Sequence, residues 1–550
     1  MPSLICVPIM VDDAAAAIAD AQQARLAGAD LVEFRIDRVF HGEGDEDGAR
    51  AIERLIAESP LPCIVTCRPP GEGGEYDGDD AARVALFERI CAAAQATGRH
   101  PPRYIDVELA TYTRSANLRQ KIDLGVRHPN QVRDIDTSLI LSVHDFAGRP
   151  PRLLDTIIRM RSQSAAAVHK IAWRARSLRD NIEAFELLSE RDRPTIMLLM
   201  GEPGLMSRVL ASKFGGFLTF ASLRDTSATA PGQPTIRDLL SLYRFRTIGP
   251  ASAVYGVIGW PVGHSLSPAV HNAGFDAVGH DGVYLPLPIP PEWEHFKATV
   301  LALLDFAPLT LRGASVTIPH KEHLVRLARE DRSRTWNVDP LVERCGAANT
   351  LVVDPGGAVR VLNTDAGAAV AAVTQALSSS DLDGRQISIL GAGGVARSIA
   401  AGFAQAGATV TIFNRGRERA ERLVEDLSTG SPFAGRLAVG DWSKRCAPCC
   451  EVLINCTPVG MTGGPDPHGL PVEDESLARC KPGALVVETV YAPARTPLLS
   501  AAADYGLRVV DGLSIFTAQA AEQFRAWTGR PAPVGLFDRV VRETLFPPET

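Results

Sequence analysis

Two lysines in this sequence stand where a lysine is chemically useful, and the residue types around each point to work on a ketone. Lys170 lies in AAAVHKIAW, apolar on both sides. An ammonium there would shed its hydration and become a usable nucleophile, and such an amine forms a Schiff base with a ketone. The bland alternative is a strand-end lysine whose head snorkels to water. His144, near the end of LILSVHDF, has the chemistry of a general acid/base, although taken alone it could be a satisfied core histidine. Arg35, Arg68 and Arg208 can each hold a carboxylate through two parallel bonds. Thr229 and Gln233, in TAPGQPT, sit on a Gly/Pro loop of the kind that closes over a site.

The second lysine, Lys321, follows the strand-like GASVTIP, and Asp365 ends the string LNTD. A carboxylate within reach would hold that lysine charged and oriented, ready to protonate a carbonyl oxygen during hydride transfer. Spacing alone leaves Lys321 a solvated surface lysine. In GVIGWPVGHSLSPAVHN, Ser265 and Ser267 lie two residues apart, so in an extended loop both hydroxyls face one way and bind one carboxylate. The same SLSP reads equally as a helix N-cap.

From Gln386 to Arg415 the chain runs strand, glycine turn, helix, strand. Gly391 permits the tight turn, Gly393 lets the backbone approach a pyrophosphate, and Gly394 or Ala396 lets the helix pack close to the sheet. The tip of the second strand is Asn414-Arg415, followed by Arg417 and Arg419, where an NAD site places an acid. A guanidinium there favours a 2′-phosphate and hence NADP.

Elements must carry these groups. Apolar runs of strand length recur at residues 4–9, 31–34, 63–66, 104–107, 139–143, 167–171, 195–199 and 217–220, with helical spacing between most of them, as in 14–27 and 80–96. Eight such units predict a (β/α)8 barrel, whose strand ends would bring Glu33, Arg35, Arg68, Asp106, Glu108, His144 and Lys170 to one mouth. The segment 236–246 reads as the closing helix, with Ile236, Leu239, Leu240 and Tyr243 on a face that could also meet the second half. A boundary falls at Gly249-Pro250. With 550 residues, 45% hydrophobic and 22% charged, the chain is expected to be a soluble multidomain protein without a membrane span. Its net charge of −7 without a basic block argues against nucleic acid and for small molecules. MPSLICVPIM passes at once into a strand-like run, so the expected location is cytoplasmic, in keeping with Cys6, Cys63 and Cys67 as reduced core thiols. Cys446, Cys449 and Cys450 contain one CxxC without a second pair, and no metal site is expected.

Residues 1 to about 240 resemble the type I 3-dehydroquinate dehydratases through EFRID, TCRPPGEGG, SVHDF, VHKIAW, MGEPGLMSR and the APGQ loop. The resemblance implies an imine between Lys170 and the substrate C3 ketone, His144 as the base at C2, and substrate contacts from Glu33, Arg35, Arg68, Glu72, Arg208, Thr229 and Gln233. Thr229 stands where the family more often has Ser. Residues 252 to 550 resemble shikimate dehydrogenase through the Ser265/Ser267 loop, VTIPHK, GAANT, NTD, GAGGVAR, NCTPVGM, VYAPARTPLL and QAAEQFRAWTG. That family implies substrate contacts at Ser265, Ser267, Thr317, Asn349, Asp365, Tyr491 and Gln519, catalysis by Lys321 with Asp365, and NADP at Gly391, Ala392, Gly393, Gly394, Asn414, Arg415, Arg419 and Thr457. Three positions depart: Ser315 replaces Asn, as in the fused plant enzymes; Gly416 replaces Thr; Ala368 replaces Gly.

Together these resemblances imply a barrel over 1–245, a substrate domain over 252–365 joined by C-terminal helices from about 517 to 550, and a Rossmann domain over 366–516. They imply dehydration of 3-dehydroquinate and NADPH-dependent reduction of 3-dehydroshikimate. A quinate dehydrogenase in the second half, or an inactive ligand sensor on the same folds, is the alternative. Retention of both serines favours shikimate. Retention of both lysines, His144 and Asp365 favours an enzyme.

Overall fold

Alternation of period two explains the first half of the chain. Eight strands, β1 (Leu4–Met10), β2 (Leu31–Arg35), β3 (Cys63–Thr66), β4 (Tyr104–Glu108), β5 (Ser138–Asp145), β6 (Ala166–Arg174), β7 (Thr195–Met200) and β8 (Leu218–Phe220), form one sheet in the order β7-β6-β5-β4-β3-β2-β1-β8. All its ladders are parallel, and Phe217 N–H donates to Thr195 O at 2.8 Å where β7 approaches β8. The sheet is a nearly closed (β/α)8 barrel. Inside it, Leu31, Ile64, Tyr104, Ile140 and Val168 belong to one apolar core. Two residues further along the same strands stand Glu33, Thr66, Asp106, Ser142 and Lys170, and two beyond those Arg35, Arg68, Glu108, His144 and Ala172. Side chains two apart share a face, so an apolar floor is followed by two polar layers toward the C-terminal mouth.

The computed structural model describes residues 3–97, 100–130, 135–445, 450–481 and 483–546. Cys446 and Cys449 therefore lie outside the described residues. Among those described, no helix is long and apolar enough to cross a membrane. The chain divides into two compact units, Met1–Ser252 and Ala253–Thr550.

The expected closing helix over 236–246 is shorter and irregular. A wide π turn spans Asp238–Leu242, Arg244 takes φ 54°, and a 3-10 turn follows at Phe245–Thr247. Ile236, Leu239 and Tyr243 fit one helical face, but Phe245 and Ile248 are buried as well. A straight helix cannot turn all five inward, so the backbone breaks at Arg244. The apolar face belongs to the barrel, with Leu240 lying over Gly28.

In the second unit, β9 (Ala253–Gly259), β10 (Gly282–Pro288), β11 (Leu311–Val316), β12 (Trp336–Val338), β13 (Thr350–Val353) and β14 (Val359–Leu362) form a sheet in the order β10-β9-β11-β13-β14-β12, with β13 antiparallel to both neighbours. The remaining strands, β15 (Gln386–Leu390), β16 (Thr409–Phe413), β17 (Leu437–Val439), β18 (Val452–Asn455), β19 (Leu485–Glu488) and β20 (Arg508–Val510), form a parallel sheet in the order β17-β16-β15-β18-β19-β20. That is the doubly wound dinucleotide order, with its switch point between β15 and β18. The C-terminal helices return to the first of these sheets: Phe516, Ala520 and Phe524 of Gly512–Thr528 and Phe537 and Val541 of Val534–Leu545 share a core with Tyr255, Val257, Phe275 and Tyr284.

Candidate active sites

The barrel mouth holds a cavity, open to solvent and lined by Glu33, Arg35, Arg68, Glu72, His144, Phe146, Lys170, Arg208, Phe220, Thr229 and Gln233 among others. The nine barrel residues that the family resemblance assigns to the site all line it, whereas Asp106 and Glu108, also expected at the mouth, lie behind them. Lys170 has a different setting from the one its own strand suggests. Its Nζ donates to Asp106 Oδ2 at 2.8 Å and Glu33 Oε1 at 3.2 Å, and it lies 4.6 Å from the centre of the Phe220 ring. The apolar residues beside it in sequence point away or lie below, whereas its partners come from β2, β4 and β8.

Asp106 is fully buried and is the centre of this arrangement. It accepts from Ser142 Oγ and Lys170 and meets Arg68 Nη2 at 2.9 Å. Burial works against its charge, but Arg68 and then Lys170 hold its carboxyl far below the usual range. Arg68 also donates to Glu108 Oε1 at 2.8 Å, and Glu108 is shared with the buried Arg83. Arg35 is locked on Asp37 by bonds of 3.0 and 2.8 Å. Two of the three arginines expected to bind a ligand carboxylate are therefore already neutralised by the protein. Arg208 is not. Its Nε donates to Leu199 O at 3.2 Å, no carboxylate pairs with it among the described residues, and burial alone lowers its pKa to about 10. Gln233 also has an unspent donor: its Oε1 accepts from Thr229 N and Oγ1, while its buried Nε2 has no partner.

His144 is neutral at neutral pH. Burial first, then Arg68 and Lys170, push its imidazole well below the ordinary range, outweighing Asp106. Glu72 Oε2 accepts the His144 backbone N–H at 3.0 Å and lies 3.1 Å from Nδ1. Burial and then Glu108 raise the Glu72 pKa to about 7, against Arg68 and the His144 N–H. Once ionised, Glu72 requires the proton on Nδ1, which leaves Nε2 able to accept a proton.

In the second unit Lys321 opens the helix Lys321–Glu330 and pairs with Asp365 Oδ2 at 2.5 Å. Asn349 Nδ2 donates to Asp365 Oδ1 at 2.9 Å, and Gln519 Oε1 lies 3.5 Å from the same nitrogen. Gln523 Nε2 donates to Asn349 O, Ser315 Oγ donates to Gln523 Oε1, and Tyr284 OH donates to Ser315 Oγ. Ser267 and Tyr491 both lie near the same phenol. A connected polar path thus runs from Tyr284 to Lys321. The extended loop expected around Ser265 is instead a turn: Leu266 is at φ −75°, ψ −12°, and Ser265 Oγ accepts the Ser267 N–H at 3.3 Å as the helix begins. The helix starts at Ser267 with Leu266 in the cap position and no side-chain cap, and Pro268 fixes its first turn. Thr317 N–H donates to Ile258 O, which sets that residue beside β9.

The residues of the glycine turn fit a dinucleotide. Gly391 has φ +105°, and a Cβ there would meet Cys456 O at 3.0 Å; Gly393 opens onto free space; a Cβ on Gly394 would lie 3.4 Å from Lys321 Cβ. The turn with its helix N-terminus (Gly394–Gln405) thus lies against the catalytic candidate. Arg417 is tied to Glu421, while Arg415 lies 6.0 Å from the centre of the Trp442 ring, and neither Arg415 nor Arg419 pairs with a carboxylate among the described residues. Asn414 Nδ2 donates to Gly416 O.

Family models match in chain order: Type I 3-dehydroquinase over residues 5–250, Shikimate dehydrogenase substrate binding domain over 257–351, Shikimate / quinate 5-dehydrogenase over 373–455 and Shikimate 5'-dehydrogenase C-terminal domain over 512–542. A chloroplastic bifunctional 3-dehydroquinate dehydratase/shikimate dehydrogenase of Arabidopsis thaliana is 37% identical over 553 residues, covering 98% of this chain and 84% of that protein. The chain belongs to the bifunctional 3-dehydroquinate dehydratase/shikimate dehydrogenase family. A shikimate dehydrogenase (NADP(+)) of Paramagnetospirillum magneticum is 38% identical over 280 residues, covering 50% of this chain and 92% of that protein. The solved dehydroquinate dehydratase and shikimate dehydrogenase from S. pombe is 23% identical, covers 98% of each chain and gives a TM-score of 0.42.

In this bifunctional dehydratase/dehydrogenase, Ser142, Phe220, Tyr284 and Gln523 carry no signal in the sequence, and Asp106 and Glu108 stand out there only as strand-end residues. Asp106 and Glu108 were within reach, because the polar layers recur every second residue. Tyr284 and Gln523 gave no such signal, since their partners lie on other elements. The Glu72–His144 geometry generates a prediction. Dehydratase kcat/KM should rise with pH through a limb near 7, because Glu72 ionises there and sets the His144 tautomer. Glu72→Gln should remove that limb and lower kcat/KM by about 10- to 100-fold; a pH profile with the limb intact in the variant would contradict the assignment.

Proposed function

We propose that the barrel dehydrates 3-dehydroquinate through an imine on Lys170. The observation that carries this reading is a buried lysine beside a neutral histidine in a cavity where Arg208 has no carboxylate partner among the described residues. Arg208 and the free Nε2 of Gln233 take the substrate carboxylate, since the other two guanidinium groups are occupied. Lys170 passes a proton to a neighbouring carboxylate and adds to the C3 ketone, and loss of water gives the iminium. His144 Nε2 takes the C2 proton, leaving an enamine. The enamine expels the C1 hydroxyl, which leaves as water with the proton from His144. Hydrolysis of the iminium releases 3-dehydroshikimate and returns Lys170.

The second unit reduces that ketone to shikimate. When bound, NADPH supplies the hydride. Gly391, Ala392, Gly393 and Gly394 would hold its pyrophosphate, Arg415, Arg419 and Asn414 its 2′-phosphate, with Thr457 against the turn. Lys321 donates the proton to the carbonyl oxygen, and Asp365 keeps it charged and aimed. Ser265, Ser267, Thr317, Asn349, Tyr491 and Gln519 hold the substrate around it. The division into 1–245, 252–365 with the C-terminal helices, and 366–516 follows the order of the family models. A cytoplasmic location is supported by Cys6, Cys63, Cys67 and Cys91, which are buried free thiols. Small molecules, not nucleic acid, are the partners of a chain with net charge −7.

Borohydride added with 3-dehydroquinate should trap the imine and add mass to the peptide containing Lys170; retained dehydratase activity with an adduct elsewhere, or none, would overturn the assignment. Lys321→Ala should lower reductase kcat by about 10²- to 10⁴-fold while dehydratase turnover stays near wild type. Loss of both activities together would refute the separate roles.

A further inference from the structure

The last residue of β19, Glu488, is fully buried and takes no part in the chemistry above. Its carboxylate is saturated by donors from two loops. Asn455 Nδ2 lies 3.0 and 3.1 Å from its two oxygens, Val490 N–H donates to Oε1 at 2.9 Å, and Thr496 Oγ1 donates to Oε2 at 3.0 Å. Because a carboxylate only accepts, it dictates which end of the Asn455 amide faces it. The Asn455 oxygen is thereby turned to the other side, where it accepts from Thr457 N at 3.0 Å and Thr457 Oγ1 at 2.7 Å. Both Thr457 donors are consumed. What Thr457 offers to its surroundings is its methyl group, which together with Cys456 O forms the wall against Gly391: a Cβ on that glycine would stand 3.0 Å from Cys456 O and 3.3 Å from Thr457 Cγ2. The other arm, through Val490 N and Thr496, fixes the start and end of the loop that carries Tyr491.

The geometry points to Glu488 as a positioning residue that sets the dinucleotide turn through Asn455 and Thr457 and the substrate loop through Val490 and Thr496, so that one buried carboxylate registers cofactor against substrate. This rests on the assignment of the second unit as an NADPH-dependent reductase. Glu488 touches neither ligand. Its effect is therefore on how well two ligands are held, not on the proton that Lys321 delivers. Burial raises its pKa to about 7, against the bonds from Val490 and Asn455, so the acceptor-only form on which both arms depend is the one favoured above that pH.

Glu488→Gln replaces one acceptor oxygen with an NH2 where Asn455 Nδ2 and Val490 N–H can only donate and only the Thr496 hydroxyl can turn to accept, so the bonds of both arms are weakened or rearranged. In the full chain, KM for NADPH and KM for 3-dehydroshikimate are both expected to rise, by about tenfold for at least one and threefold for the other, with kcat within about threefold and dehydratase kcat/KM unchanged as the internal control. A purely structural role would lower the amount of active enzyme and leave both KM values alone, and that result would overturn the proposal. Two further variants decide the matter if Glu488→Gln is insoluble. Thr457→Val, which keeps the methyl wall and loses the hydroxyl bond, should raise KM for NADPH alone, and Thr496→Val should raise KM for 3-dehydroshikimate alone. Equal effects of both variants on both ligands, or none, would refute the two-arm account. Absence of NADPH-dependent reduction in the wild type would instead refute the reductase assignment itself.

Discussion

A carboxylate with no solvent exposure, Asp106, is the constraint on which the barrel mouth depends. Left alone in the interior, such a charge would be neutralised; here two cations and a serine hydroxyl keep it ionised. The arrangement works in both directions. Without Asp106, Arg68 and Lys170 would meet as buried like charges, and removing one partner from a buried ionic cluster typically costs about 3–5 kcal/mol. Burial and the same positive field hold His144 in its neutral form, so the cations that keep Asp106 ionised also discourage a charge on the imidazole. Arg208 stands outside this compensation, and its charge is left for a ligand.

The second unit uses the same device on a smaller scale. Asp365 is bound by Lys321 and Asn349, and Asn349 connects through Gln523 and Ser315 to Tyr284. Hydrogen-bond direction propagates along this path from groups that can only donate or only accept. The Asn349 carbonyl fixes the Gln523 amide, which requires Ser315 to donate, and the phenol of Tyr284 must then donate to Ser315. The substitution of Ser for Asn at position 315 is thus accommodated by a bond to Gln523 and leaves no polar atom stranded.

Much of this was legible before any coordinates. Apolar runs of strand length located the eight barrel strands within a few residues, because a parallel strand covered on both faces must be apolar along its length. Polar residues breaking those runs at their ends marked the mouth. What stayed hidden has a common cause: the partners of a side chain in a parallel barrel come from neighbouring strands, not from sequence neighbours. Lys170 therefore looked isolated among Val168, Ile171 and Ala172, although β2 and β4 bring Glu33 and Asp106 to it. The segment after β8 failed for a different reason. Ile236, Leu239 and Tyr243 carry a helical spacing, and the need to bury Phe245 and Ile248 as well overrode it. Around Ser265 the local signals for a loop and for a cap coexist, and Pro268 decided in favour of the helix start. Glu488 and Asn455 end strands that otherwise look like plain sheet core, and nothing in their spacing reveals that they face each other.

Two reaction centres in one chain, each with its own lysine and its own carboxylates, imply that the product of the first is the substrate of the second. The most direct measurement is to incubate the purified chain with 3-dehydroquinate and NADPH, follow nicotinamide oxidation, and identify the product. Shikimate formed with one NADPH consumed per dehydroquinate lost is the expected result. Loss of dehydroquinate without NADPH oxidation, or its direct reduction to quinate, would contradict the account.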